Sequence, residues 1–143
     1  MASKQSLDKT YMKMALAMSE LSYGERLKVG AVAVTKNEVV LTGVNGLPHK
    51  LGNNLEIFDG DVLVTKDTVV HAETALLCKA AKEGVSMIGS TVYVTHSCCS
   101  HCASMLASVG VSRVVYFDEY RSIKGIDILR DCDIVVEKFN GGL

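Results

Sequence analysis

Tryptophan is absent, proline occurs once, at Pro48, and aromatic residues make up only 6% of the 143 positions. Neither sign of charge dominates: 15 Lys and Arg against 16 Asp and Glu leave a formal net charge of −1. With no basic run either, the electrostatic footprint of a nucleic-acid binder is missing, and no nucleic-acid partner is expected. No apolar stretch approaches the ~20 residues that a membrane span needs. Residues 1–10 carry Lys4, Asp8 and Lys9 without an apolar run, so no secretory signal is visible. The five cysteines are odd in number and three of them crowd into residues 98–102, which is not a disulfide framework. They read as metal ligands plus leftovers, and imply a reducing cytoplasm with no membrane partner. What is present suits an ordinary globular fold, with 48% hydrophobic and 22% charged residues. The length predicts one domain over residues 1–143, burying about two-thirds of its unfolded surface.

Taken in order, Ser6 caps a predicted helix running to about Glu20, with an apolar stripe at Leu7, Tyr11, Met14, Ala15 and Met18. Residues 29–35 and 38–44 are β-branched runs joined by Lys36 and Asn37, a hairpin signal, and both are apolar enough to be covered on two faces. Residues 45–68 carry no periodic pattern, hold the single proline, and read as the wall or lid of a pocket. A second helix is predicted over residues 70–83, ended by Gly84, and a third from Cys99 to near Gly110. Strands at 91–95, 113–117 and 134–139, with a short helix at 125–131, complete the pattern αββαβαβαβ. That order predicts an α/β fold: one mixed five-stranded sheet with helices on both faces. Cys78 and Cys132 are expected to be buried small hydrophobes.

The chemistry concentrates in His71-Ala72-Glu73 and Cys99-Ser100-His101-Cys102. A histidine, a carboxylate two residues on and a later Cys-x-x-Cys is the pattern of a zinc deaminase site. His71, Cys99 and Cys102 would supply three zinc ligands and leave the fourth tetrahedral position open, as in a catalytic rather than a structural site. In a helix from residue 70, Glu73 would lie about 200° round from His71. Beside the open position its carboxylate suits proton transfer. Both ligand groups fall near predicted helix starts, where partial positive charge favours thiolate. Two alternatives stand beside this: a redox-active Cys-x-x-Cys, or a structural zinc with His101 or Cys98 as fourth ligand.

Beyond these residues, Arg26-Leu27-Lys28-Val29-Gly30-Ala31-Val32, Thr42-Gly43-Val44-Asn45-Gly46-Leu47-Pro48, the run from Thr91 to Cys102, and Val115-Tyr116 with Tyr120-Arg121 resemble the cytidine and deoxycytidylate deaminase superfamily. The likeness is greatest to the deoxycytidylate (dCMP) deaminases of bacteria and their phages. It implies a cytidine-deaminase-like three-layer sandwich, one Zn2+ per subunit on His71, Cys99 and Cys102, and Glu73 as proton shuttle. It further implies that Asn45 meets the sugar hydroxyl, the Ala72 N–H receives the cytosine carbonyl, Tyr120 lines the pocket, and Arg26 and Arg121 grip the 5′-phosphate. For each arginine a solvated surface position is the alternative, and for Asn45 a turn position. The implied reaction converts dCMP to dUMP in a cytoplasmic homo-oligomer, dimer or hexamer, with a small-molecule nucleotide as substrate; the cytoplasm is the host's if the chain is phage-encoded. Deamination of another nucleotide, nucleoside or tRNA base, or a non-catalytic zinc or nucleotide-binding role, are the other readings. The chain departs from the family at Cys98, which replaces a proline and competes with Cys99 as ligand; the spacing to Cys102 favours Cys99. Ala75 stands where an asparagine is frequent, and His49-Lys50 alter the loop through which regulated members bind nucleotides, in which case Mg2+ would accompany the regulator.

Overall fold

The computed structural model describes residues 1–143. Its elements run α1 (Lys4–Ser19), β1 (Gly30–Val34), β2 (Val40–Val44), a 3-10 turn at His49–Leu51, β3 (Glu56–Asp59), β4 (Val62–Thr65), α2 (Ala72–Glu83), β5 (Thr91–His96), α3 (Ser100–Ser108), β6 (Arg113–Asp118), α4 (Lys124–Asp131) and β7 (Val135–Lys138). Five strands form one mixed sheet in the order β2-β1-β5-β6-β7. The β1 pairings are antiparallel, and β5-β6-β7 run parallel, with α3 and α4 as crossovers.

The period-2 alternation of the central strands sorts the layers. Ala31, Ala33, Val92, Val94, Val114 and Tyr116 face one side and pack with Leu76 of α2, Leu106 of α3 and Leu129 of α4 in a core of 19 buried residues. Val32, Tyr93 and Val115 face the other side and meet Met12 and Ala15 of α1. The helices thus cover both faces, as predicted, with α1 alone on one of them. On α2 the buried Ala72, Leu76 and Ala80 recur every fourth residue. Ala72 and the missing side chain of Gly43 let the helix lie almost on the sheet: a Cβ on Gly43 of β2 would come within 2.2 Å of the Ala72 carbonyl.

Several expectations need correction. Ser3, not Ser6, caps α1, its hydroxyl accepting the Ser6 N–H at 3.2 Å. Of the expected stripe Ala15 is buried and Tyr11, Met14 and Met18 are half-buried, whereas Leu7 is exposed and the buried Met12 falls outside that pattern. The β1–β2 loop is one residue longer than Lys36-Asn37, because Glu38 closes it with φ 64°. Of these two strands only β1 is covered on both faces; β2 is an edge strand that buries Leu41 and Gly43 alone. Residues 45–68 hold the antiparallel hairpin β3–β4, turned at Gly60. Cys78 and Cys132 are exposed, the first midway along α2 and the second at the C-cap of α4.

A polar knot fastens α1 to the sheet. Arg113 donates to both Asp8 oxygens at 2.8 and 2.7 Å and to Glu137 at 2.6 Å, while the Tyr93 hydroxyl donates to Asp8 at 2.7 Å. Burial works to raise the Asp8 carboxyl, but Arg113 and Tyr93 hold it below its ordinary value. Arg113 does the same for Glu137. A native carboxyl held below its unfolded value contributes stability that is present above the unfolded pKa and lost as pH falls through the native one. Asp8→Asn should therefore destabilise the protein by about 1–3 kcal/mol at neutral pH, with the difference from wild type shrinking below about pH 4. Urea unfolding of both proteins at pH 7 and pH 3 checks this.

Candidate active site

Both predicted ligand groups sit at helix N-termini. Val70 is held extended by a bridge to Gly46, with Gly46 N–H to Val70 O at 3.0 Å and Val70 N–H to Gly46 O at 2.7 Å. His71 follows as the N-cap of α2 with φ −67° and ψ 156°. The helix therefore begins two residues later than expected, and the 200° separation from Glu73 does not apply, because His71 lies outside the helix. Cys99 is the N-cap of α3, its sulfur accepting the Cys102 N–H at 3.5 Å. The Cys-x-x-Cys spacing thereby becomes N-cap and N3, which puts both sulfurs at one helix end.

His71 Nδ1 lies 3.5 Å from each of the two sulfurs, and the three donor atoms all fall within 4.8 Å of one another. A tetrahedral zinc with ordinary Zn–N and Zn–S lengths holds its nitrogen and sulfur ligands about 3.5 Å apart, so the donor set fits zinc in type and spacing. This is the one group of three or more His, Cys, Asp or Glu side chains close enough to share an ion. The expectation of Mg2+ finds no support in it. Cys98 stays outside the cluster, buried in the larger core, and burial pushes its thiol up to about 12. Close packing fixes that neighbouring segment: a Cβ on Gly125 of α4 would come within 2.0 Å of the Cys98 carbonyl.

Hydrogen bonds from Cys102 and His71 hold the Cys99 thiol well below the usual thiol range. Cys102, hydrogen-bonded to that sulfur and buried, is pushed up, and the Thr74 hydroxyl stands 3.7 Å from it. The sulfur of Cys99 in turn raises His71. Glu73 is only 4% exposed, and burial pushes its carboxyl up to about 7. A carboxyl poised there exchanges protons readily at neutral pH.

These groups floor a cavity of about 440 Å³, within the usual range for small-molecule sites. It opens at the carboxyl ends of β5 and β6, where ligands of open α/β sheets collect. The antiparallel pairing of β1 brings residues 26–29 and Asn45 to the same rim. Arg26, Asn45, His71, Ala72, Glu73, Cys99, Tyr120 and Arg121 all line it, with Cys102 behind Cys99. Asn45 is also a fastener: its Oδ1 accepts the Val29 N–H at 2.8 Å and its Nδ2 donates to Leu27 O at 2.9 Å. The Arg121 guanidinium lies 5.4 Å from the centre of the Tyr120 ring, a cation–π distance. Sequence reasoning missed Leu55, Glu56, Thr65, Val69, His96, Ser97 and Glu119, which also line the cavity. Gly60-Asp61, the two-residue loop between paired Asp59 and Val62, was the available signal for the hairpin that carries Glu56 and Thr65. Nothing local marked Ser97, whose buried hydroxyl accepts the Tyr120 N–H at 2.6 Å and ties the two rim loops together.

Comparison with known proteins agrees with this geometry. Residues 5–118 match the cytidine and deoxycytidylate deaminase zinc-binding region. The deoxycytidylate deaminase of Mycobacterium phage D29 is 34% identical over 125 residues, covering 80% of this chain and 96% of that protein. The deoxycytidylate deaminase of Saccharomyces cerevisiae is 29% identical over 144 residues, covering 96% of this chain and 46% of that protein. The dCMP deaminase of cyanophage S-TIM5, solved in complex with dCMP and dUMP, superposes with a TM-score of 0.89 at 41% identity, over 96% of this chain and 99% of that one. With its zinc-type donor set at the floor of this cavity and a family match over residues 5–118, this chain belongs to the cytidine and deoxycytidylate deaminase family.

Proposed function

We propose that this chain hydrolyses dCMP to dUMP and ammonia, with His71, Cys99 and Cys102 holding one zinc ion per chain. The observation that carries this reading is the donor triad beside a buried, near-neutral carboxyl in a cavity whose rim bears two arginines. The phage enzyme that binds dCMP and dUMP supports the choice of substrate through its likeness along nearly the whole chain. When bound, zinc supplies the Lewis acidity that makes water nucleophilic near neutral pH. Glu73 takes one proton from the attacking water and delivers it to ring N3, then takes the remaining proton of the new C4 hydroxyl and passes it to the amine, which leaves as ammonia while the oxygen stays on C4 as the carbonyl. Ala72, at the first position of α2, has an N–H with no intrahelical partner and offers it to the cytosine carbonyl. Asn45 retains a second amide N–H for the sugar hydroxyl while its other groups brace the rim. Tyr120 walls the pocket, and Arg26 and Arg121 take the 5′-phosphate, whose oxygens match the guanidinium fork.

The apolar groove between α2 and α3, lined by Leu77, Met105 and Val109, supports assembly of the chain as a homo-oligomer. Five free cysteines suit a reducing cytoplasm. No helix is long and apolar enough to cross a membrane.

Glu73→Gln should keep its zinc and lose about 10²–10⁴ in kcat, measured as ammonia release at matched metal content. Equal activity would remove Glu73 from the chemistry. Cys99→Ser should lose most of its zinc in metal analysis, whereas Cys98→Ser keeps it; the reverse would reassign the ligand. Arg26→Ala should raise KM for dCMP about tenfold while sparing deoxycytidine, as expected for one charge-assisted phosphate contact. A wild type that turns over dCMP and deoxycytidine equally well would end the monophosphate assignment.

A further inference from the structure

Arg26 stands in the segment between α1 and β1, which has no regular structure of its own and leaves Arg26 exposed. A long cationic side chain in such a place spreads over many rotamers, and ordering it on a ligand subtracts from affinity. Here both ends of the residue are held. The Glu56 carboxylate is 6% exposed, and one of its oxygens, Oε2, accepts the backbone N–H groups of Glu25 and Arg26, each at 2.9 Å. Directly across the hairpin, where Glu56 of β3 pairs with Thr65 of β4, the Thr65 hydroxyl accepts from Arg26 Nη1 at 3.1 Å.

We propose that this cross-strand pair, Glu56 and Thr65, is a positioning device that fixes Arg26 by backbone and guanidinium together, so that the β3–β4 hairpin orients the phosphate grip. The inference rests on the reading above that Arg26 takes the 5′-phosphate. Placement of the carboxylate matters as much as its presence. Its hydrogen bonds go to amides rather than to the guanidinium, and the ion pairs of the chain, Lys4–Glu137, Arg113–Asp8 and Arg113–Glu137, leave Arg26 out. The guanidinium spends one of five donors on Thr65 and keeps the rest for a dianion. The Glu25 and Arg26 N–H groups both donate to this one carboxylate, and a charged acceptor serving two amides at once is stronger than a neutral one. Without the hairpin, the Arg26 turn would be held from the β2 side alone, through Asn45 on Leu27 and Val29.

The test compares zinc-loaded wild type, Glu56→Ala, Glu56→Gln and Thr65→Val with dCMP and deoxycytidine as substrates. Glu56→Ala should raise KM for dCMP about five- to thirtyfold, the loss of one well-placed charged hydrogen bond, with kcat changed by less than about twofold. The preference for dCMP over deoxycytidine should fall by the same factor. Glu56→Gln, whose side-chain oxygen still accepts both N–H groups, should restore most of the dCMP preference. Thr65→Val should raise KM for dCMP about two- to fivefold, as for a single neutral acceptor. An unmoved dCMP KM in Glu56→Ala, an equal loss with deoxycytidine, or a glutamine variant as impaired as alanine would each overturn the proposal. If Glu56→Ala does not fold, Thr65→Val decides, because its hydroxyl is exposed and its removal disturbs no core. Amide hydrogen exchange at Glu25 and Arg26 provides the readout independent of the phosphate assignment. Exchange slow in wild type and Glu56→Gln but fast in Glu56→Ala supports the clamp even if wild type ignores the phosphate, and exchange unchanged in Glu56→Ala refutes it.

Discussion

Two helix N-termini, those of α2 and α3, are brought face to face so that the residue capping each one points at the other. His71 and Cys99 occupy those caps, and the 3.5 Å between imidazole nitrogen and sulfur is set by where the helices begin rather than by any flexible reach. N-terminal N–H groups and the helix dipole favour the anionic sulfur there. Metal affinity in such a site depends on holding the donors at ion-binding distance before the ion arrives, which is why close packing surrounds it. Gly43 admits α2 against the sheet and Gly125 admits α4 against the segment before Cys99; a methyl group at either would displace backbone next to His71 or Cys99.

Burial and charge divide the labour in the cavity. Glu73 is shut away from water and held near neutrality, while Arg26 keeps an exposed guanidinium outside every ion pair. Proton transfer needs a carboxyl whose two protonation states are close in energy, and anion binding needs a cation that has not already been neutralised. Both conditions hold within one cavity because they are met at different depths. The floor is formed by the N-terminus of α2, and the rim by loops that follow β2, β5 and β6 and precede β1.

The excursion between Asn45 and His71 does more than close over the pocket. Its base is fastened by the Gly46–Val70 bridge, which places Asn45 and His71 on neighbouring strands of chain. Its tip folds into a two-stranded hairpin with no partner in the main sheet, so Ile57, Phe58 and Val62 remain exposed. An isolated hairpin is marginal on its own, and here the buried Glu56 carboxylate anchors it to the turn that carries Arg26.

The zinc pattern and the layer order were legible in the linear sequence because each rests on local rules. His-x-Glu and Cys-x-x-Cys are short-range spacings, the strands are β-branched runs, and Gly84 and Ser100 lie where helices stop and start. What no local rule carries is which loops meet. Arg26, Asn45, His71, Cys99 and Tyr120 are spread over nearly a hundred positions, and only the antiparallel insertion of β1 beside a parallel β5–β6 pair brings them to one rim. Glu56 shows the limit most plainly: as a sequence letter it is one more acidic residue in a polar loop. Its burial and its grip on two amides thirty residues away exist only once the hairpin folds back on the sheet, because those hydrogen bonds are long-range and leave no periodic trace.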